Sequence, residues 1–161
     1  MGQFAIDIQQ FGKDAINQVD VIRRKIALEV FSGVVLKTPV DSGRARGNWQ
    51  SSVGALATSE VERVDKGGRA AVSEAERVIN SSRITDSVFL SNNVPYIFSL
   101  EYGGYPKVVK RGSRKRGKRK GYEVRSVGGF SKQAPAGMVQ VTLAEFPYIV
   151  SREAAQNGFS D

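Results

Sequence analysis

The sequence predicts an α+β fold: a long N-terminal helix and shorter helices packed on a small β-sheet. Two observations carry this. Apolar residues recur at steps of three and four at both ends of the chain, and short runs of β-formers lie around Trp49 and Phe89 between them. With 161 residues, 40% of them hydrophobic and 25% charged, residues 1–161 read as one domain able to bury a core unaided.

The first helix is read from Ile8, Phe11, Ala15, Val19, Ile22, Ile26, Val30 and Val34, opposite a face carrying Lys13, Asp14, Asn17, Asp20, Arg24 and Lys25. About 28 residues of helix span roughly 42 Å, long for so small a domain. Thr38-Pro39 ends it, because the residue before proline is pushed out of the helical region. Asp41-Ser42-Gly43 is turn chemistry: aspartate bonds its own backbone and glycine accepts positive φ. It lacks the strand before and helix after that a phosphate-binding loop needs, so it is read as a structural turn.

Trp49, Ser51 and Val53 alternate with Gln50 and Ser52, the pattern of a strand with one buried face and Trp49 as its core anchor. Ala71, Ala75, Val78 and Ile79 predict a short helix ending near Asn80, and Asp86 to Ser91 a second strand. Asn93-Val94-Pro95 opens a helical turn with Ile97 and Leu100 inward; Glu101 reads as an ordinary surface carboxylate. The basic stretch after it and Tyr122 to Val127 are two arms of an extended hairpin or loop. Val139, Leu143, Phe146 and Val150 set the inward stripe of a C-terminal helix, with a kink or break expected at Pro147.

Net charge is +8, and one segment holds it. Lys107, Lys110, Arg111, Arg114, Lys115, Arg116, Lys118, Arg119 and Lys120 follow one another with no acid between them; the other 15 basic residues are balanced by 16 acidic ones. Three roles stay open for this run: a solvated loop, salt-dependent contact with DNA phosphates, or docking on an acidic protein surface. Aromatic residues stand only at its ends, Tyr105 and Tyr122, so stacking on single-stranded bases has little support.

The chain has no Cys and no His, which removes disulfides, thiolate chemistry and the commonest general base near neutral pH. The densest carboxylates, Glu60, Glu62 and Asp65, or Glu74 and Glu76, fall on segments that read as solvated. No catalytic residue, metal ligand or cofactor is expected. No apolar run is long enough to span a bilayer and no signal-peptide pattern opens the chain, so the expectation is a protein made in the cytoplasm, with no membrane partner.

Three segments recur in a telling order after the first helix: Thr38-Pro39-Val40-Asp41-Ser42-Gly43-Arg44-Ala45-Arg46-Gly47-Asn48-Trp49, then Pro95-Tyr96-Ile97-Phe98-Ser99-Leu100-Glu101-Tyr102-Gly103-Gly104, then Ser131-Lys132-Gln133-Ala134-Pro135-Ala136-Gly137-Met138-Val139. From about Phe4 to Ala155 the chain resembles the small neck and tail-completion proteins of long-tailed bacteriophages, the head–tail joining components. In that family the second segment runs almost directly into the third. Here Gly103-Gly104-Tyr105 and Gly128-Gly129-Phe130 look like two halves of that junction, with residues 105–127 as an inserted basic arm.

The resemblance implies a structural virion protein: a ring that joins the capsid portal complex to the tail tube around the DNA channel. Its partners would be further copies of itself, in six-fold or twelve-fold rings, and the adjoining neck, portal-side and tail-tube proteins, with duplex DNA in the channel. A different class remains open, a non-enzymatic nucleic-acid-binding protein that grips duplexes through the basic arm.

Overall fold

The computed structural model describes residues 3–105, 108, 110–111 and 123–158. Helix α1 (Gln3–Lys37) has 35 residues, roughly 52 Å of helix and longer than its stripe alone predicts. After the turn come α2 (Arg44–Gly47), β1 (Gln50–Val53), α3 (Arg69–Ser81), β2 (Val88–Ser91) and α4 (Ile97–Tyr102). The chain then makes β3 (Lys110–Arg111), β4 (Glu123–Val124), β5 (Ser126–Val127) and β6 (Phe130–Ser131), and ends in α5 (Val139–Gln156). The architecture is α+β. In place of one small sheet there are three two-stranded antiparallel ladders: β1 with β2, β3 with β4, β5 with β6.

Helix α1 packs on α3 and on α5, and α3 covers β1. The core sits at the C-terminal end of α1, where Val34, Val35, Ala45, Trp49, Ala71, Val94, Leu100 and Met138 bury one another. Thr38 closes α1: its N–H donates to the Val35 carbonyl and its hydroxyl to the Val34 carbonyl. Both bonds satisfy carbonyls that a helix end leaves open.

Four expectations are corrected. Only the second half of α1 is covered, because α5 ends beside Gln18, whose side chain donates to the Asn157 carbonyl. Upstream of that point the stripe is bare: Ile8 is 56% exposed and Phe11 75%. Along β1 the burial does not alternate: Gln50 and Ser51 are both buried and Val53 is exposed. The Gln50 amide reaches Ser59 and the Ser51 N–H reaches Glu74 on α3, so cover is concentrated at one end of the strand. A short helix, α2, does follow the turn at Gly43.

The fourth correction concerns α5. It runs through Pro147 without a break, and its buried residues are Thr142, Ile149 and Glu153. Leu143 and Phe146, read as inward, are exposed. Val139, Leu143, Phe146 and Val150 form an apolar stripe, but α1 seats on the neighbouring strip of the helix surface, with Thr142 against Gly33.

Candidate functional site

The turn that follows α1 is built around Gly43, at φ 97°. A Cβ there would stand 2.8 Å from the Lys66 backbone nitrogen and 2.9 Å from the Asp65 carbonyl carbon. Its own carbonyl accepts from the Gly47 N–H at 2.8 Å and the Asp65 N–H at 3.2 Å. Glycine is required both for the left-handed backbone and for this close approach. Ser42 accepts the Arg44 N–H through its hydroxyl at 3.2 Å, and Asp41 pairs with Arg125 at 2.9 Å. Asp41, Ser42 and Gly43 therefore join α1, the loop before α3 and the strands near the arm.

Above this turn lies a cleft of about 230 Å³. Tyr96, Leu100 and Tyr105 line its wall, and Asp41, Arg44 and Arg125 its rim. Burial pushes the hydroxyls of Tyr96 and Tyr105 above the ordinary tyrosine range, so both stay neutral near pH 7. Arg44 donates to Glu60 at 2.5 Å, a bond that raises the pKa of its guanidinium further. The rim thus presents charges of both signs that are paired within the chain.

Tyr105, Arg125 and Ser126, flanking the basic segment, line this cleft. Tyr105 N–H donates to the Gly129 carbonyl at 3.1 Å, bringing the flanks of residues 105–127 together. Lys110 and Arg111 lie on β3, paired with Val124 and Glu123. Ser126 is buried, and β5 pairs with β6 beside the body. Lys107, Arg114, Lys115, Arg116, Lys118, Arg119 and Lys120 lie outside the described residues.

Several residues that matter here were missed or misjudged from sequence. Glu101 is not a surface carboxylate: it is 5% exposed and accepts the backbone N–H groups of Met138, Val139 and Gln140 at 2.9, 2.9 and 2.8 Å. It does the capping that no side chain at the start of α5 does. Gly137, at φ 78°, is fitted to it: a Cβ there would meet the Glu101 carbonyl oxygen at 2.6 Å. The available signal was the helix start itself, Ala136-Gly137-Met138, which carries no Ser, Thr, Asp or Asn.

No role for Arg46 is read from the sequence. Its guanidinium donates to the carbonyls of Leu36, Thr38 and Lys66, capping the end of α1 with a positive charge. Burial lowers its pKa, with Asp65 opposing. Arg63 likewise donates to the Gly47 and Trp49 carbonyls and pairs with Glu74 at 2.6 Å. Glu74 is thus half-buried and partnered rather than solvated.

Asp65 accepts from Gly68 N–H at 2.8 Å and Ala70 N–H at 2.7 Å, capping α3 from upstream of its glycine N-cap. Among the described residues no three Asp or Glu gather as a metal cluster, and no helix is long and apolar enough to cross a membrane. Compared with protein-family models, curated proteins and solved structures, the chain matches none.

Proposed function

We propose that this chain is a structural virion protein, a ring subunit at the head–tail junction of a long-tailed bacteriophage. It would serve as a neck, tail-completion or tail-terminator component that joins the portal complex to the tail tube around the DNA channel. The observation that carries the reading is that the three segments behind the resemblance, far apart in sequence, form one unit. Val40 N–H donates to the Gln133 side chain at 2.8 Å and its carbonyl accepts from the same amide at 3.0 Å. Glu101 holds the start of α5, and Trp49, Leu100 and Met138 share the core. Residues of the three segments are therefore each other's packing partners, the geometry expected of one structural module.

A ring subunit needs surfaces offered to neighbours. The overhanging half of α1, the cleft rim and the arm beside it supply three. The second reading, a nucleic-acid-binding protein of one or two copies, is favoured by the nine cations of the arm.

A salt titration of duplex DNA binding by the purified chain, run beside light scattering, separates the two. Large assemblies with weak DNA affinity support the ring. Tight binding by a species of one or two copies that falls steeply with salt supports the second reading.

A further inference from the structure

The outward face of α4 carries two large rings and no charge. Phe98 and Tyr102, one helical turn apart, are 71 and 63% exposed. They stack on each other, with ring centroids 6.3 Å apart and planes at 18°. Glu101, the one charged residue of α4, is turned inward onto the start of α5. Two exposed rings side by side form an apolar patch of the kind that marks an interaction site.

The strands beneath α4 bring cations to the same neighbourhood. Helix α4 packs on β6, and a Cβ on Gly103, directly after the helix, would stand 2.9 Å from the Phe130 ring. In turn β6 pairs with β5, where Ser126 lies two residues after Val124, and Val124 pairs with Lys110. The backbone of Lys110 and Arg111 is therefore tied to the strands that support α4. In sequence, Lys107 follows Tyr102 by five residues, at most about 17 Å of chain. It is the first of nine cations with no acid among them. Glu123 and Asp41, acids next to these strands, both pair with Arg125.

Charge complementarity selects the occupant. Aromatic rings beside a run of cations suit a polyanion whose units have flat apolar faces, which is single-stranded nucleic acid. A duplex fits less well, because its bases are already stacked on one another and offer the rings nothing to lie against. We infer that Phe98 and Tyr102 form a stacking platform for unpaired bases, with the positive charge of the following chain attracting the phosphates. Tyr105 and Tyr122, at the ends of the arm, predict no such platform; the pair on α4 supplies it. The inference goes beyond the ring reading and does not depend on it.

Fluorescence anisotropy of the full chain with a labelled oligothymidine of about 15 nucleotides, and with a duplex of equal length, tests it. The variant carries Phe98→Ala and Tyr102→Ala together. Both rings are exposed, so it should fold normally, which circular dichroism checks. It should bind oligothymidine at least about tenfold more weakly, and the duplex as the wild type does. The slope of log affinity against log salt should not change, because stacking releases no counterions. Phe98→Tyr with Tyr102→Phe, which keeps both rings, should bind as the wild type. A wild-type chain that does not bind oligothymidine overturns the inference, whatever its state of assembly. So does an alanine variant that loses single strand and duplex alike. An alanine variant that keeps its oligothymidine affinity also overturns it, and if self-association is lost instead, the rings are a protein contact.

Discussion

The indole N–H of Trp49 donates to the hydroxyl of Thr38 at 2.7 Å, and that hydroxyl donates on to the Val34 carbonyl at 2.8 Å. Both residues are buried, so the first and last members of the turn segment are tied to α1 by one relay. Thr38→Val keeps the shape but leaves the Trp49 N–H unpaired, and is expected to cost about 1–3 kcal/mol in urea unfolding. Trp49→Phe in the Thr38→Val background should then cost less than in the wild type, which a double-mutant cycle reads directly.

Glu101→Ala removes the acceptor of three backbone N–H groups at the start of α5. A loss of about 2 kcal/mol or more is expected, the upper range for a cap because the site is buried. Glu101→Gln, which retains one acceptor oxygen, should recover part of it. Equal stability of Glu101→Ala and wild type would show that water replaces the carboxylate without cost.

Gly43→Val should cost at least about 1–3 kcal/mol, because a Cβ there meets backbone of Asp65 and Lys66 as well as an unfavourable φ. An unchanged thermal midpoint would show that the turn can open without penalty.

Burial acts to raise the pKa of Asp65, but the N–H groups of Ala70, Gly68 and Gly67 and the charge of Arg63 outweigh it, leaving it below its ordinary 3.8. A carboxylate depressed in the folded state contributes stability that is full above the unfolded value and lost as pH falls through the folded one. The difference in thermal midpoint between wild type and Asp65→Asn should therefore be largest near neutral pH and shrink below about pH 4. A difference independent of pH would rule out this role for the charge.

The arm is tested by replacing residues 112–122 with Asn-Gly. Arg111 and Glu123 are paired across β3 and β4, so a two-residue turn closes the hairpin in register. The thermal midpoint should change little. On the proposed ring reading, phage carrying the variant should lose genomes from joined particles if the arm holds DNA, or yield free heads and tails if it holds protein. Normal infection would leave the arm as a solvated loop.

Legibility followed the locality of the cause. The Pro39 stop, the Gly43 turn, the α3 stripe and the anchoring Trp49 are dictated by neighbours in sequence, and the structure has all four. Leu143, Phe146 and the first half of α1 were misplaced because periodicity tells that a face is apolar, not what lies against it. Glu101, Arg46 and Gln133 act on partners 8 to 93 residues away, the nearest of them Thr38 and the farthest Val40. No spacing rule reaches such pairs, though the uncapped start of α5 announced that an acceptor was needed from elsewhere.

Electron microscopy of the purified, self-associated chain tests the central claim most directly. Closed annuli of one diameter are the result expected of a ring subunit. Open filaments, or particles no larger than a dimer, would contradict it.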